Sequence, residues 1–209
     1  MTSGVIFAVS ERLRLAGLCA AFVILFAGCA PSDPAIRDAI NEVNREFRRE
    51  YETILTEKGT RVYKVSQAEA YDAVRVSLAR LGMTVETQDP VLGFVNVYAP
   101  APRPLTREEW NRAAETELPH LHKIICPIVG PTCTFVKFEP EGLEVVISAT
   151  LVSVPGGTEV SYTARMREVA PPRSGIPRRE YLPPTAVRMG LDKMWAELER
   201  EFKATYRKP

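Results

Sequence analysis

Four side chains that could bind a metal or carry out redox chemistry lie close together in segment 119–135, PHLHKIICPIVGPTCTF. One residue separates His120 from His122, and six residues separate Cys126 from Cys133. A zinc site needs four ligands that converge tetrahedrally, and its cysteines are usually about two to four residues apart. A catalytic thiol pair normally has the C-x-x-C spacing and a helix start that stabilises the thiolate. Neither pattern is present, which argues against a metal site and against a redox site in this segment.

A disulfide between Cys126 and Cys133 is a third interpretation of the same segment. Pro127, Gly130 and Pro131 lie between the cysteines and favour bends that bring the two thiols together. In the chain-entropy model, closing a loop of this size stabilises a fold by about 2–3 kcal/mol. Because leftover thiols usually pair in an oxidising compartment, the destination of the chain decides between these interpretations.

The N-terminal segment indicates that destination. Arg12 and Arg14 precede an uncharged apolar run at 15–29, which is typical of a secretory signal. The run is shorter than the roughly 20 apolar residues of a membrane-spanning helix. Its end, LFAGC at 25–29, resembles the lipobox of bacterial lipoproteins.

The resemblance to bacterial lipoproteins has implications for processing and location. It implies that residues 1–28 form a signal peptide, that the Cys29 sulfur receives a diacylglyceryl group, and that the new amine of Cys29 is often acylated as well. Two or three acyl chains hold a protein durably on a membrane, whereas one chain binds only marginally. In a Gram-negative bacterium, Ala30 after the lipidated cysteine implies the outer membrane. We therefore expect a lipid-anchored, periplasm-facing protein in an oxidising envelope, in which Cys126 and Cys133 pair.

The remaining chain alternates between helical and strand-like patterns. Apolar residues at spacings of three and four predict a helix over 33–57, either a stalk or a helix docked against the domain. Ser66 and Thr106, each with a glutamate three residues later, match capping boxes and predict two further helix starts. The second of these helices is expected to end near Leu118. Alternating segments predict strands at 61–65, 83–87, 93–99, 135–139, 143–153 and 158–168, and an apolar stripe predicts a last helix over 185–206.

This order of elements predicts an α+β fold. We expect a curved antiparallel sheet of about five to six strands packed on one or two helices, preceded by an N-terminal stalk helix. The order over 61–99 and 135–206 resembles the helix-grip domains of the BamC lipoprotein family, which belongs to the outer-membrane barrel-assembly machine. We expect a lipidated linker and stalk helix at 29–60 and a single domain at 61–209 with an insertion at 100–134.

The sequence contains no pattern that indicates catalysis. The G-x-S-x-G motif, the phosphate-binding glycine loop and the H-E-x-x-H motif are all absent. Acidic pairs such as Glu108 and Glu109 fit the first turn of a helix, where the dipole favours negative charge. A formal net charge of +1 gives no reason to expect nucleic-acid binding. We therefore expect neither enzyme activity nor a cofactor.

Binding is the class of function that remains. Five arginines near the last strand and the proline-rich connection after it could contact anionic lipid headgroups or an acidic partner, or form an ordinary solvated surface. The five are Arg165, Arg167, Arg173, Arg178 and Arg179. We expect a non-catalytic binding or accessory subunit of a cell-envelope complex, with an envelope protein as its partner. The alternative is a periplasmic carrier of a lipid or small ligand, because a curved sheet over a helix can enclose an apolar cavity.

Overall fold

A computed structural model of the protein describes residues 32–169 and 175–206. In chain order, its elements are α1 (Asp33–Lys58), β1 (Thr60–Tyr63), α2 (Gln67–Arg80), β2 (Thr84–Asp89), β3 (Phe94–Pro100), α3 (Arg107–Val129), a 3₁₀ turn (Gly130–Phe135), β4 (Leu143–Val154), β5 (Gly157–Glu168) and α4 (Pro184–Tyr206). The predicted signal peptide at 1–28, the predicted lipidation site Cys29, and Arg173 lie outside the described residues.

Helix α1 is docked against the domain. The Ser32 side chain caps its first turn, and Gly59 follows its last residue. Its buried residues are Ala39, Phe47, Tyr51 and Ile54. Tyr51 and Ile54 belong to the main hydrophobic core, which the sheet and the other helices share. The helix is therefore part of the domain, and the expected stalk helix at 29–60 is wrong for residues 33–58, because its apolar face is buried in the shared core.

Both predicted capping boxes are confirmed. At the start of α2, the Ser66 hydroxyl accepts a hydrogen bond from the Glu69 amide, and the Glu69 carboxylate accepts one from the Ser66 amide. Thr106 and Glu109 make the same reciprocal pair at the start of α3. Each pair satisfies backbone N–H groups that have no partner inside the helix, and this fixes where the helix begins.

The five strands form one open antiparallel sheet in the order β1-β5-β4-β3-β2. Strands β4 and β5 form the longest hairpin, paired from Leu143 with Glu168 to Val154 with Gly157. Because β1 and β2 are the edges, the central strands pair on both sides. The α+β class, with an antiparallel sheet packed on helices, is confirmed.

The core lies between one face of this sheet and the helices. Alternate residues of β4, such as Val145 and Ile147, are buried, whereas Val146 between them is half-buried. Trp195 of α4 is 1% exposed, and its ring centroid lies 4.5 Å from that of Tyr162 in β5. This alternation is the signature of an antiparallel sheet that packs through one face only.

Helix α3 is longer than the sequence predicted, and it forms most of the expected insertion at 100–134. We expected an end near Leu118, but the helix continues for eleven further residues through Pro119 and Pro127. A proline inside a helix removes a backbone hydrogen bond and costs about 3 kcal/mol or more. Both prolines occupy exposed positions, while the added turns bury Leu121 and Ile125 in a cluster with α1. We attribute the continuation to this burial, which no local proline signal reveals.

The predicted strand at 135–139 is wrong. Phe135 ends the 3₁₀ turn with its side chain 83% exposed, and 136–140 form no strand. The segment packs on α3 instead, where the Trp110 indole Nε1 donates a hydrogen bond of 2.9 Å to the Phe138 carbonyl. The segment cannot form a hairpin with β4, the next strand in the chain, because β4 already pairs with β3 and β5.

Candidate functional site

An apolar cavity of about 480 Å³, here called the apolar groove, lies between α1, α3 and one end of the sheet. Its α1 wall consists of Ile36, Ala39, Ile40, Val43 and Phe47, and its α3 wall of Leu121, Ile125 and Val129. The remaining apolar lining comes from Trp110, Phe135, Val136, Phe138, Leu143, Met166, Tyr181 and Pro183. Since the two helical stripes repeat at spacings of three and four, each one lines the groove over several turns. The lining is therefore suited to hold an apolar molecule.

The segment after the 3₁₀ turn forms the outer wall of the groove. The rings of Phe138 and Phe47 are stacked with centroids 6.0 Å apart, which joins this wall to α1. The bond from Trp110 to the Phe138 carbonyl joins the same residue to α3. The irregular chain is thus held at both sides, and Phe135 and Val136 beside it remain exposed at the rim.

Polar side chains at the rim fix the connection between β5 and α4. The Asn44 side-chain nitrogen donates a hydrogen bond of 2.9 Å to the Arg178 carbonyl. The Asn44 side-chain oxygen accepts a hydrogen bond of 3.1 Å from the Glu180 backbone amide. Between those residues, Arg179 Nε donates 2.6 Å to Glu168. Lys137 and the acidic Glu139 also line the groove. The Lys137 ammonium makes no ion pair with any residue in 32–169 or 175–206. It supplies a cation at the mouth that an anionic group could meet.

The predicted cysteine pair lies at the end of α3. The sulfurs of Cys126 and Cys133 are 2.02 Å apart, at bonding distance, and their Cα atoms are 5.1 Å apart. Cys133 is buried in the same cluster as Phe47 and Leu121. The pair connects the last turn of α3 to the 3₁₀ turn, next to the groove residues Val129 and Thr132.

A cluster of three ionisable side chains lies where α1 meets α3. His120 Nδ1 is 3.0 Å from Glu117 Oε1 in the same helix and 3.3 Å from Glu50 Oε1 of α1. The donor atoms of all three residues lie within 4.8 Å of one another, which is close enough for a shared metal ion. Glu117 is buried, and its second oxygen accepts hydrogen bonds from the amide and the hydroxyl of Thr185 in α4.

No pattern in the sequence led us to expect this cluster. Glu117 and His120 are three residues apart, a spacing that places both side chains on one face of a helix. We expected the helix to end between them, so this spacing did not indicate a shared helix face. Glu50 comes from another helix, and no local pattern pairs it with His120. His122, two positions further on, is outside the cluster, and its buried Nε2 has no hydrogen-bond partner among the residues the structure describes.

The arginines that we expected to contact an anionic headgroup or an acidic partner differ in their surroundings. Arg167 lies 2.8 Å from Glu144 and 3.3 Å from Glu86, and the hydrogen bonds to these carboxylates raise its pKa. Arg179 is paired with Glu168, as described above. The guanidinium groups of Arg165 and Arg178 form no ion pair within the described parts of the chain. Arg165 and Arg167 alternate with buried β5 residues and so lie on the outer face of the sheet.

No family model, curated protein or solved structure matches the chain. Within the described residues, no helix combines the length and the apolar character that crossing a membrane requires. The function of the chain is therefore inferred from its own geometry.

Proposed function

We propose that the protein is a lipid-anchored envelope protein that binds an apolar, chain-like ligand in the apolar groove. The observation that carries the proposal is the groove itself, whose volume of about 480 Å³ falls within the range of small-molecule sites. Such sites are lined mainly by apolar and aromatic side chains with few polar groups, and this lining has the same character. The resemblance of segment 25–29 to a lipobox supports the anchor and the envelope location.

The shape of the groove favours one elongated ligand. Along α1 its wall extends from Ile36 to Phe47, a distance of about 16 Å at the helical rise. An apolar chain can contact this wall over three turns, whereas a compact ring system would contact only part of it. With Lys137 at the mouth, the arrangement suits an amphiphile with a single acyl chain and an anionic head.

Filling the groove provides the direct test. We expect purified, delipidated protein to bind a fluorescent fatty acid saturably and to release it when dodecanoate is added. Ala39→Trp places an indole in the groove and should weaken binding by about tenfold or more. Thr53→Trp, on the exposed face of the same helix, serves as the matched control and should bind like the wild type. Equal binding by all three proteins would exclude the groove as the site.

The role of Lys137 has a separate test. Lys137→Ala should weaken binding of dodecanoate but leave binding of dodecanol unchanged, because only the former carries a negative head. If both ligands lose affinity equally, Lys137 does not recognise the head.

An accessory subunit of an envelope complex is the second candidate. The outer face of the sheet favours it, because Val146 is half-buried there and Val152 is 50% exposed. If a protein partner binds this face, Val152→Glu should abolish its binding and Ala39→Trp should not. Cross-linking followed by mass spectrometry measures partner binding in both variants. For ligand binding in the groove, the opposite is expected: Ala39→Trp weakens it and Val152→Glu does not.

A further inference from the structure

We propose that Glu50, Glu117 and His120 form a binding site for a divalent transition-metal ion of the zinc class. The site is distinct from the apolar groove, and neither proposal depends on the other. Its three side chains offer one imidazole nitrogen and carboxylate oxygens from two helices. This donor set suits zinc and its neighbours among the transition metals, whereas Ca²⁺ takes oxygen ligands only.

The two contacts of His120 within the cluster are close in length to those that a metal ion requires. Zinc bonds of about 2.0–2.2 Å, arranged tetrahedrally, hold their donor atoms about 3.3–3.6 Å apart. His120 Nδ1 lies 3.0 Å from Glu117 Oε1 and 3.3 Å from Glu50 Oε1. The donor atoms of Glu50 and Glu117 lie within 4.8 Å of each other. Metal binding would thus lengthen the His120–Glu117 contact slightly and hold the two carboxylate oxygens about 3.3–3.6 Å apart.

The Glu117 carboxylate is oriented by groups outside the cluster. Its Oε2 accepts hydrogen bonds of 2.9 Å from the Thr185 backbone amide and 2.6 Å from the Thr185 hydroxyl. Its Oε1 lies within hydrogen-bond distance of His120 Nδ1. Metal ligands are typically held in this way by hydrogen bonds from a second set of residues, which restricts the ligand to one geometry. Because the amide belongs to the first turn of α4, the arrangement also connects the site to a third helix.

The charge of the cluster favours a cation. Neither carboxylate forms an ion pair with a lysine or arginine anywhere in 32–169 or 175–206, and the Glu117 side chain is only 6% exposed. Burying a carboxylate is costly unless it is paired, and one imidazolium balances only one of the two negative charges. A divalent ion bound to a neutral imidazole balances both.

The site is accessible from solvent. The side chains of Glu50 and His120 are 37% and 33% exposed, so an ion can enter and a water molecule can complete the coordination. A bound ion would join α1 to α3, which form the two long walls of the groove. The ring centroid of His120 lies 6.2 Å from that of Phe47, a lining residue of the groove.

Metal binding can be measured on the folded, oxidised protein without a reductant, so that Cys126 and Cys133 stay paired and offer no thiolates. We expect calorimetric titration with Zn²⁺ to give one saturable site per chain, and Co²⁺ to give the visible absorption of a tetrahedral complex. Glu50→Gln and His120→Gln should each weaken Zn²⁺ binding by about tenfold or more. The matched control is His122→Gln, which changes the only other histidine and should bind Zn²⁺ like the wild type.

Thermal unfolding provides a second readout. Zn²⁺ should raise the Tm of the wild type and of His122→Gln, because an ion that binds only the folded state stabilises that state. The Tm of Glu50→Gln should not change when Zn²⁺ is added. Since Glu50 is partly exposed and glutamine keeps its shape, this variant is expected to fold, and circular dichroism verifies that it does. The proposal is overturned if neither ion binds saturably, or if Glu50→Gln and His120→Gln bind as the wild type does.

Discussion

The side chain of Trp195 connects three parts of the molecule. Its indole Nε1 donates a hydrogen bond of 2.8 Å to the carbonyl of Lys58, the last residue of α1. Its ring packs on Tyr162 of the sheet, and the Arg61 guanidinium lies 4.9 Å from the ring centroid on the β1 side. The same residue thus contributes buried apolar area, a hydrogen bond and a cation–π contact.

Shortening Trp195 should therefore be among the more destabilising changes in this protein. We expect Trp195→Ala to lower the free energy of unfolding by about 3–5 kcal/mol, the usual cost of removing a large core side chain. Trp195→Phe keeps most of the apolar area but leaves the Lys58 carbonyl without its donor, so a loss of about 1–3 kcal/mol is expected. Urea unfolding measures both values. Val91→Ala, at an exposed hairpin position, should change stability by less than about 0.5 kcal/mol.

The Glu109 carboxylate makes the fold sensitive to acid. Its pKa lies below the usual range because Lys193 Nζ donates a hydrogen bond of 2.6 Å and the Thr106 amide donates another. A carboxyl group with a lowered pKa in the folded state stabilises that state above its unfolded pKa. This contribution is lost as the pH falls through the folded pKa.

We expect Glu109→Gln to be less stable than the wild type at neutral pH, and the difference to shrink below about pH 4. Thermal unfolding from neutral into acid conditions gives both curves. Glu115→Gln, an exposed position of the same helix without an ion pair in the described residues, should follow the wild type. A constant difference between Glu109→Gln and wild type would show that Glu109 acts through packing rather than charge.

At the scale of elements, local signals in the sequence were sufficient to predict where helices begin and where hairpins turn. The capping boxes at Ser66 and Thr106 and the long β4–β5 hairpin depend on residues close together in the chain. The extent of α3 depends on burial of Leu121 and Ile125 against a distant helix, so Pro119 gave the wrong signal. The groove and the His120 cluster are spaces and contacts between elements, and no periodicity within one segment encodes them.

The cysteine pair bears on how the end of α3 is held. We expect replacement of Cys126 and Cys133 together by serine to lower the free energy of unfolding by about 2–3 kcal/mol through the loss of a short closed loop. Denaturant unfolding of the oxidised wild type and the variant measures the difference. Non-reducing peptide mapping should link the two cysteines, and two free thiols in protein purified from the envelope would contradict the pairing.

At the scale of the whole molecule, the proposed lipid anchor would determine where the domain works. We expect mass spectrometry of the mature protein to begin at an acylated Cys29, and Cys29→Ser to be released from the membrane fraction. Cys19→Ser, at the other cysteine of the apolar run, is the control and should remain anchored. If Cys29→Ser fractionates as the wild type does, the lipid anchor is excluded.

The docking of α1 also sets how far such an anchored domain can extend from the bilayer. As a free stalk, the 26 residues of α1 would form a rod about 39 Å long. Because α1 is docked against the domain, it adds none of this length to the distance between the bilayer and the domain. From Cys29 to Asp33 the backbone can span no more than about 14 Å. The domain would then stay at the lipid surface, where the groove could exchange an acyl chain with the outermost lipids without crossing open solvent.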